Sequence, residues 1–348
     1  MDTSQYKCPN CDGELEFNPS TQEMNCPFCR SSFTMETIQQ IYAENEPTAP
    51  TPESTEFESH TNVYHCATCG ADIMADDQTT ATFCYYCHSP VILSGRLTGA
   101  YKPDKVIGFK VTKENALASF KSWCASKPFI PSDFKSEQQL EKMTGLYVPF
   151  WIADCDVSAD YSGIGNVKRS WTSGDYRYTE IKEFSVQRKA KIVTKGVPAD
   201  GESKIDDKLM ESIEPFNYDD LKDFSMSYFT GFFADKYDVD KAGAFPHIKE
   251  RVTSACKSVI RDSIKNYSSV SMHSESYNIN KTDWQYIMLP IWFMTYKYND
   301  KIYEFAINGQ TGKLAGTPPL DKKKLFRTSA LIGLCVVLAL FLGGQCFI

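Results

Sequence analysis

The sequence predicts a multi-domain protein in which a cysteine-rich N-terminal part precedes an α+β domain and an apolar C-terminal helix. Three observations predict this order. Paired cysteines cluster between residues 8 and 87, runs of alternating or helical hydrophobic spacing follow from residue 98, and residues 329–348 carry no charge. The fold class they indicate is two small four-cysteine zinc ribbons, an α+β domain with antiparallel sheets, and a C-terminal transmembrane helix.

The cysteine pairs repeat one spacing. Residues 8–29 read CPNC-x14-CPFC and residues 66–87 read CATC-x14-CYYC. Two residues between cysteines allow a tight backbone knuckle that directs both thiolates at one ion, and two knuckles complete a tetrahedral zinc site that has no position left for a substrate. We expect two structural zinc ions, one per ribbon, while a cross-braced pairing between the ribbons stays open. The predicted ligands are Cys8, Cys11, Cys26, Cys29, Cys66, Cys69, Cys84 and Cys87. Glycine follows the first knuckle at Gly13, where a positive φ is expected.

The predicted ribbons span residues 1–35 and 63–96, and an acidic linker rich in Pro, Thr and Ser spans residues 36–62. Many zinc ribbons bind nucleic acid, which requires basic residues that displace counterions from phosphates. No Lys or Arg occurs from Ser31 to Gly95, whereas nine Asp and Glu residues do. This charge pattern disfavours nucleic-acid binding and suits a protein-contact surface.

The α+β domain is expected over residues 98–320. Helical spacing predicts helices at 112–126, with Thr112 as the N-cap, and near 137–143. Three further helical segments are predicted, at 204–216, 218–239 and 240–267. Alternating hydrophobicity predicts strands that form an antiparallel meander. The predicted strands are 146–163, 164–173, 176–188, 190–197 and a hairpin pair over 284–316 with turns at Asn299-Asp300 and Asn308-Gly309, the second of type I′.

Few residues of this domain indicate chemistry. Asp154 and Asp156 face the same side of a predicted strand and could form an acid–base pair or a cation site. No histidine or third carboxylate lies at a spacing that would complete a catalytic or cation site. We therefore expect Asp154 and Asp156 to lie on an exposed strand face. No catalytic residue and no small-molecule substrate are predicted, so we expect a protein that is not an enzyme. Cys124, Cys155 and Cys256 are isolated and are expected to be buried small hydrophobes.

The C-terminal stretch 329–348 is apolar apart from the amide of Gln345. As a helix it would reach about 30 Å, the thickness of a bilayer's hydrocarbon core. The segment 321–328 before it is basic and is predicted to lie at the membrane surface, which by the positive-inside rule keeps the N-terminal part in the cytoplasm. The expected location is therefore the cell membrane, with a single pass and a cytoplasmic N-terminal head. The predicted membrane-surface residues are Lys322, Lys323, Lys324 and Arg327.

Together these segments resemble the bacterial family of TFIIB-type zinc-ribbon-containing membrane proteins. The motifs that carry the resemblance are the cysteine pairs, GLYVPFWIADCDVSADYSG, MESIEPFNYDDL, TGFFADKYDV, LPIWFMTYKYNDKIYEFAINGQTGKLAG and the apolar tail. The resemblance implies no catalytic activity and an association with SPFH-domain and phage-shock-type proteins in envelope stress. A helicase label, sometimes given to such proteins, does not fit, because the chain has no GxxxxGK[ST] phosphate loop.

The function expected from these observations is a non-enzymatic, tail-anchored membrane scaffold. Its cytoplasmic zinc-ribbon head would recruit partner proteins to the membrane, in envelope stress if the resemblance holds. The alternative is a membrane-tethered zinc-ribbon regulator that binds nucleic acid.

Overall fold

The computed structural model describes residues 6–42, 61–65, 72–76, 79–83, 90–93, 101–299 and 301–345. Within these residues the chain forms six α-helices and fifteen β-strands. The helices are α1 (Met35–Tyr42), α2 (Lys113–Ala125), α3 (Glu137–Leu140), α4 (Asp207–Ile213), α5 (Lys241–Ser263) and α6 (Lys322–Gln345). The strands are β1 (Glu16–Asn18), β2 (Glu23–Asn25), β3 (Ser32–Thr34), β4 (Thr61–His65), β5 (Asp72–Asp76), β6 (Thr79–Phe83), β7 (Pro90–Ile92), β8 (Lys105–Val106), β9 (Thr144–Ser173), β10 (Tyr176–Asp200), β11 (Lys222–Asp223), β12 (Phe233–Asp235), β13 (Ser269–Tyr298), β14 (Lys301–Asn308) and β15 (Leu314–Gly316).

Most strands belong to one ten-stranded mixed sheet. Its central order is β11-β8-β13-β9-β12-β6-β7, with β10 beside β9 and β14 beside β13. Two neighbouring pairs are parallel, β12 with β9 and β13 with β8. The prediction of antiparallel sheets is therefore wrong for the sheet as a whole, although the predicted antiparallel pairings of β9 with β10 and of β13 with β14 are confirmed. The parallel strands are short segments that dock beside long strands from distant parts of the chain, and local alternation does not encode such pairings. Strands β6 and β7, from the segment predicted as the second ribbon, are part of this sheet.

Three strands are much longer than the rest. Strands β9 and β13 have 30 residues each and β10 has 25. At about 3.3 Å per residue, a 30-residue strand reaches about 100 Å. Both β10 and β13 pair with β9 along most of its length. We call residues 144–155 of β9 and their partners the base, and the outer part, residues 156–194 and 269–281, the arm. The arm has three strands as far as Asn166 and only β9 and β10 beyond it.

Burial along β9 changes from the base to the end of the arm. Nearly all residues of 145–153 are buried, buried and exposed residues then alternate, and every residue from 168 onward is exposed. The base is covered on both faces, since Tyr147 and Trp151 belong to one core cluster and Val148 and Phe150 to another.

Helix α5 covers one face of the arm next to the base. Its Ile260 packs with Ala159, Tyr161 and Val186 of the arm. Twenty-three helical residues reach about 35 Å, which matches only about ten residues of strand. The outer part of the arm, which we call the tip (residues 164–185), therefore extends beyond the helix.

Several predicted helices are confirmed. Helix α2 begins after Thr112, whose Oγ1 accepts the Asn115 amide at 3.3 Å. Helix α5 lies within 240–267 and buries Val252, Cys256 and Ile260, whereas Val259 is exposed. The three isolated cysteines Cys124, Cys155 and Cys256 are buried, as predicted.

The prediction of a helix over 218–239 is wrong. That segment forms 3-10 turns at 218–220 and 226–229 and the short strands β11 and β12. The side chains of Asn217 and Ser225 accept backbone amides two residues further on, at 3.2 and 3.4 Å. Such local hydrogen bonds compete with an α-helix and favour turns.

The two predicted hairpin turns have different outcomes. The register agrees with the turn predicted at Asn299-Asp300, since Tyr298 pairs with Lys301 and Asn299 has a φ of 49°, while Asp300 lies outside the described residues. The type I′ turn at Asn308-Gly309 is wrong, because a longer loop separates β14 from β15 and the positive φ lies at Gly312. Asn308 is buried, and its Nδ2 donates to the Ile213 carbonyl at 3.0 Å. The side chain therefore holds the end of α4 instead of forming a tight turn.

The last helix corrects the membrane prediction. Helix α6 begins at Lys322, so the basic residues Lys322, Lys323, Lys324 and Arg327 lie in its first two turns. In the part of the chain that the structure describes, no helix combines the length and the apolar character that a membrane crossing requires. The predicted transmembrane helix over 329–348 is therefore wrong, and so is the single-pass cell-membrane location that depended on it.

Candidate metal centre

The structure brings the four cysteines of the first ribbon together. The Sγ atoms of Cys8, Cys11, Cys26 and Cys29 all lie within 4.8 Å of one another. The distances Cys8–Cys29 and Cys11–Cys26 are both 3.5 Å. A tetrahedral zinc ion with Zn–S bonds of about 2.3 Å places its sulfurs about 3.8 Å apart. The donor set and its spacing therefore fit a zinc ion.

The two knuckles share one backbone pattern. In each, the carbonyl of the first cysteine accepts the amide four residues further on, from Asp12 in one and Arg30 in the other, at 2.9 Å. Both of these residues have a φ of 61°. The positive φ predicted at Gly13 thus occurs one residue earlier. Gly13 has a different role, because an added Cβ would lie 2.6 Å from the ring of Phe28.

Two of the four thiols face the core and two face solvent. Cys8 and Cys26 are buried, whereas Cys11 and Cys29 are exposed. The Oγ of Ser31 lies 3.2 Å from the Cys29 Sγ, and hydrogen bonds from the Ser31 side chain and backbone lower the pKa of Cys29 to about 6. At Cys11 the Gly13 backbone acts in the same direction, but the neighbouring thiols outweigh it and raise the pKa of Cys11. Because a metal binds the thiolate, Ser31 favours the protonation state that a zinc ligand needs.

The ribbon packs against the sheet domain. The ring of Phe17 lies 5.3 Å from Tyr228 and 6.4 Å from Phe232. The Nε2 of Gln22 donates to the carbonyl of Phe109 at 2.6 Å. A bound ion would therefore organise part of the protein's main core. Since four thiolates fill a tetrahedral shell, its contribution would be to folding and not to substrate binding.

A comparison with known proteins finds a relative that matches nearly the whole chain. The protein described as uncharacterized protein YdjG of Bacillus subtilis (strain 168) is 32% identical over 325 residues, which cover 92% of this chain and 91% of the relative. The chain belongs to the YdjG family. No family model and no solved structure matches it.

The second cysteine set of this YdjG-family protein, Cys66, Cys69, Cys84 and Cys87, lies outside the described residues. The strands around it are described. Strand β4 pairs with β5, with His65 opposite Asp72, and β6 pairs with β7, with Phe83 opposite Pro90. One four-cysteine cluster is thus present in the described chain, and a second zinc ion stays a prediction.

The candidate carboxylates lie on the exposed face of the YdjG-family arm and its base. Asp154 and Asp156 are both exposed on β9. The Oδ1 of Asp154 accepts the Gly196 amide at 2.7 Å, beside a bulge in β10. His247 lies on α5, where its Nε2 is 3.8 Å from the Oε1 of Glu211. Asp154 and His247 thus make separate structural contacts, and these contacts assign no chemistry to the two side chains.

Sequence reasoning missed the tip of the arm. Trp171 and Tyr178 face each other across β9 and β10 with stacked rings 5.7 Å apart, and the Arg169 guanidinium lies 6.0 Å from the Trp171 ring. Tyr176 and Phe184 lie on the same face, because side chains alternate along a strand. All four aromatic side chains are exposed, Trp171 by 46% and Tyr176 by 72%. The sequence signal that could have revealed the tip was length. The strands predicted over 146–173 and 176–197 are together longer than the helix predicted over 240–267 could cover.

Proposed function

We propose that this protein is a non-enzymatic scaffold that binds partner proteins. In this proposal, zinc stabilises the ribbon against the sheet domain, and the tip of the arm presents a binding surface. The observation that supports it is the exposed aromatic face of Trp171, Tyr176, Tyr178 and Phe184. Tyr, Trp and Phe are enriched at protein interfaces, and Trp and Tyr are enriched among their energetic hot spots. Because these rings stand on paired strands, little ordering cost would oppose binding.

The zinc ribbon offers a second surface for recruitment, as the sequence suggested. The ring of Phe28, next to the second knuckle, is 72% exposed. The resemblance stated above points to SPFH-domain and phage-shock-type proteins as the partners to test first. A large exposed ring on an acidic ribbon suits a protein partner better than a phosphate backbone.

Affinity purification of the full chain from its own cells, followed by mass spectrometry, tests the proposal. The double variant Trp171→Ser/Tyr178→Ser removes the aromatic pair, and Phe28→Ser removes the ribbon ring. The matched control is Ser170→Ala/Thr179→Ala, whose hydroxyls lie 3.1 Å apart on the opposite face of the tip. We expect the aromatic variant to lose its specific partners while the control keeps them, at equal zinc content. An unchanged set of partners for the aromatic variant would reject the arm as the binding surface, and a loss confined to Phe28→Ser would assign recruitment to the ribbon.

A second candidate function is nucleic-acid binding, and one observation favours it. Arg169 and Lys182 lie on the same face of the tip as the stacked aromatic pair, and Lys168 and Arg177 lie on the opposite face. Cations next to aromatic platforms are the combination that binds single strands. A single-stranded oligonucleotide should then bind with an affinity that falls steeply with salt. If the protein does not shift the electrophoretic mobility of the oligonucleotide at about 50 mM salt, where such binding is strong, this alternative is rejected.

A further inference from the structure

Strand β10 is an open edge of the arm. It pairs with β9 on one side, and no strand of the described residues lies on its other side. An open edge presents backbone N–H and C=O groups that can pair with another strand. Proteins protect such edges with bulges, proline or charged side chains, lysine above all. In β10 the bulge at Gly196 and the proline Pro198 lie near the base, and the ladder from 176 to 194 is regular.

The outer part of β10 is complementary to itself. Two antiparallel copies centred on Ile181 place Glu180 of each chain opposite Lys182 of the other. The same register places Tyr178 opposite Phe184, twice. Directly opposite residues of unlike charge and aromatic pairs both stabilise antiparallel strands. Within one chain Lys182 already lies 3.5 Å from Glu180, so pairing would join two ion pairs into one group of four charges.

Neighbouring registers lack this match. Antiparallel pairing of two identical strands must be centred on a residue, because paired residues share the same backbone orientation. Centring on Glu180 or Glu183 places two glutamates opposite each other, and centring on Lys182 places two lysines. Centring on Thr179 places no opposite charges across the pair. Among the registers centred on residues 179 to 183, only the Ile181 register combines unlike charges with no like pair.

We propose that two copies of this chain pair through the β10 edge, antiparallel and centred on Ile181. The result is one continuous sheet that runs across both arms. It covers the open edge and brings the exposed rings of Tyr178 and Phe184 from the two chains side by side. The inference does not depend on the scaffold function, although the dimer would join two aromatic faces into one.

Charge reversal with the full-length protein tests the register. Sedimentation equilibrium should show a dimer for the wild type. Lys182→Glu alone and Glu180→Lys alone each place like charges opposite one another twice, so each should raise the dimer dissociation constant on the order of tenfold or more.

Mixing the two single variants is the decisive measurement. In a mixed dimer every charge at 180 and 182 meets an opposite charge, so the mixture should form heterodimers although neither variant dimerises well alone. Altered pairing within one chain cannot produce this rescue, because mixing does not change either chain. A monomeric wild type, or dimers that persist in both variants, would overturn the proposal. The second result would be expected if the exposed apolar residues of α6, such as Leu331 and Val337, caused the association.

A disulfide trap gives an independent check of the register. Residue 181 faces its own copy in the proposed pairing, so Ile181→Cys should form a crosslinked dimer on mild oxidation. The matched control is Thr179→Cys, which is exposed on the same face of the strand but lies opposite Glu183 of the second copy. Crosslinking above the wild-type level is expected only for Ile181→Cys. Equal crosslinking of the two variants would contradict the register.

Discussion

The base and the tip of β9 belong to one strand but have opposite surroundings. Tyr147 and Trp151 are at most 3% exposed, whereas Trp171 is 46% exposed. Both ends have similar aromatic residues, but the base has a strand on each side of β9, whereas beyond Asn166 only β10 pairs with it. The cover also differs, since core clusters lie on both faces of the base and α5 ends before the tip.

This difference separates stability from function along a single element. Apolar burial supplies most folding free energy, so the base should account for far more of it than the tip. Aromatic residues that contribute little to folding are available for contacts with other molecules. Substitutions at the two ends should therefore have different consequences, and four predictions follow from the largest to the smallest effect.

The largest effect is expected where the zinc ribbon covers the sheet domain. Cys26→Ser should lower the zinc content by one ion per chain and reduce the free energy of unfolding by several kcal/mol, because structural zinc sites contribute directly to folding. Metal analysis and urea unfolding measure the two quantities. The control Cys335→Ser changes an exposed cysteine of α6 that is outside the cluster. An unchanged zinc content in Cys26→Ser would refute the metal centre.

The next effect compares two phenylalanines directly. Phe109 is fully buried, and its ring stacks on Phe232 at 4.2 Å, whereas Phe184 is 45% exposed at the tip. Phe109→Ala should cost about 3 to 5 kcal/mol, the usual range for a buried phenylalanine. Phe184→Ala should cost less than about 1 kcal/mol, as for surface substitutions. Urea midpoints of the two variants decide the matter, and similar losses would mean that the tip is part of the core.

A smaller effect on the free energy of unfolding, which depends on pH, is expected at the base end of β10. Burial raises the pKa of Asp200 to about 8. Its Oδ1 accepts the Glu202 amide at 3.0 Å, while its Oδ2 is buried with no hydrogen-bond partner in the described structure. Because the pKa of Asp200 is higher in the folded state than its value of about 4 in the unfolded chain, the protonated side chain stabilises the fold fully below about pH 4. That support is lost as the pH rises through about 8.

Asp200→Asn should remove this dependence. The variant should be more stable than the wild type at pH 8, by an amount on the order of 1 to 3 kcal/mol, and the advantage should shrink toward pH 4. Unfolding curves of both proteins across this range measure the difference. Asp156→Asn, on the exposed face of the arm, reports the effect of removing a surface charge. A constant difference between Asp200→Asn and wild type at every pH would contradict the assignment.

The sequence predicted the local features well where a few neighbouring residues determine them. The spacing of Cys8, Cys11, Cys26 and Cys29 predicted a cluster that the structure contains. The cap at Thr112 is a second case, since its partner is three residues away. Such features need no knowledge of the rest of the chain.

Features that depend on distant residues were not predictable in this way. Asn308 next to Gly309 is a strong hairpin signal, but its side chain bonds the Ile213 carbonyl, which no local pattern reveals. The parallel pairings of β8 and β12 likewise depend on where the long strands lie. Alternation predicted the strands of the arm without showing that α5 would leave their outer part uncovered. The candidate surface at the tip was missed for that reason.

The smallest effect on stability should come from shortening the arm. Val167 pairs with Lys182, and Ser173 pairs with Tyr176 around the Gly174-Asp175 turn. Removal of residues 168–173 and 176–181 would place the native turn between Val167 and Lys182. Each strand loses an even number of residues, so the side-chain alternation and the pairing pattern are kept.

The removed residues are almost all exposed. The free energy of unfolding should therefore change by no more than about 1 kcal/mol. The same variant should lose the dimer and the partners, because it lacks Ile181 and the aromatic pair. Urea unfolding and sedimentation on one preparation separate the two outcomes. A loss of several kcal/mol would show that the tip supports the base through the strands themselves, and the division of the arm into a folding part and a binding part would fail.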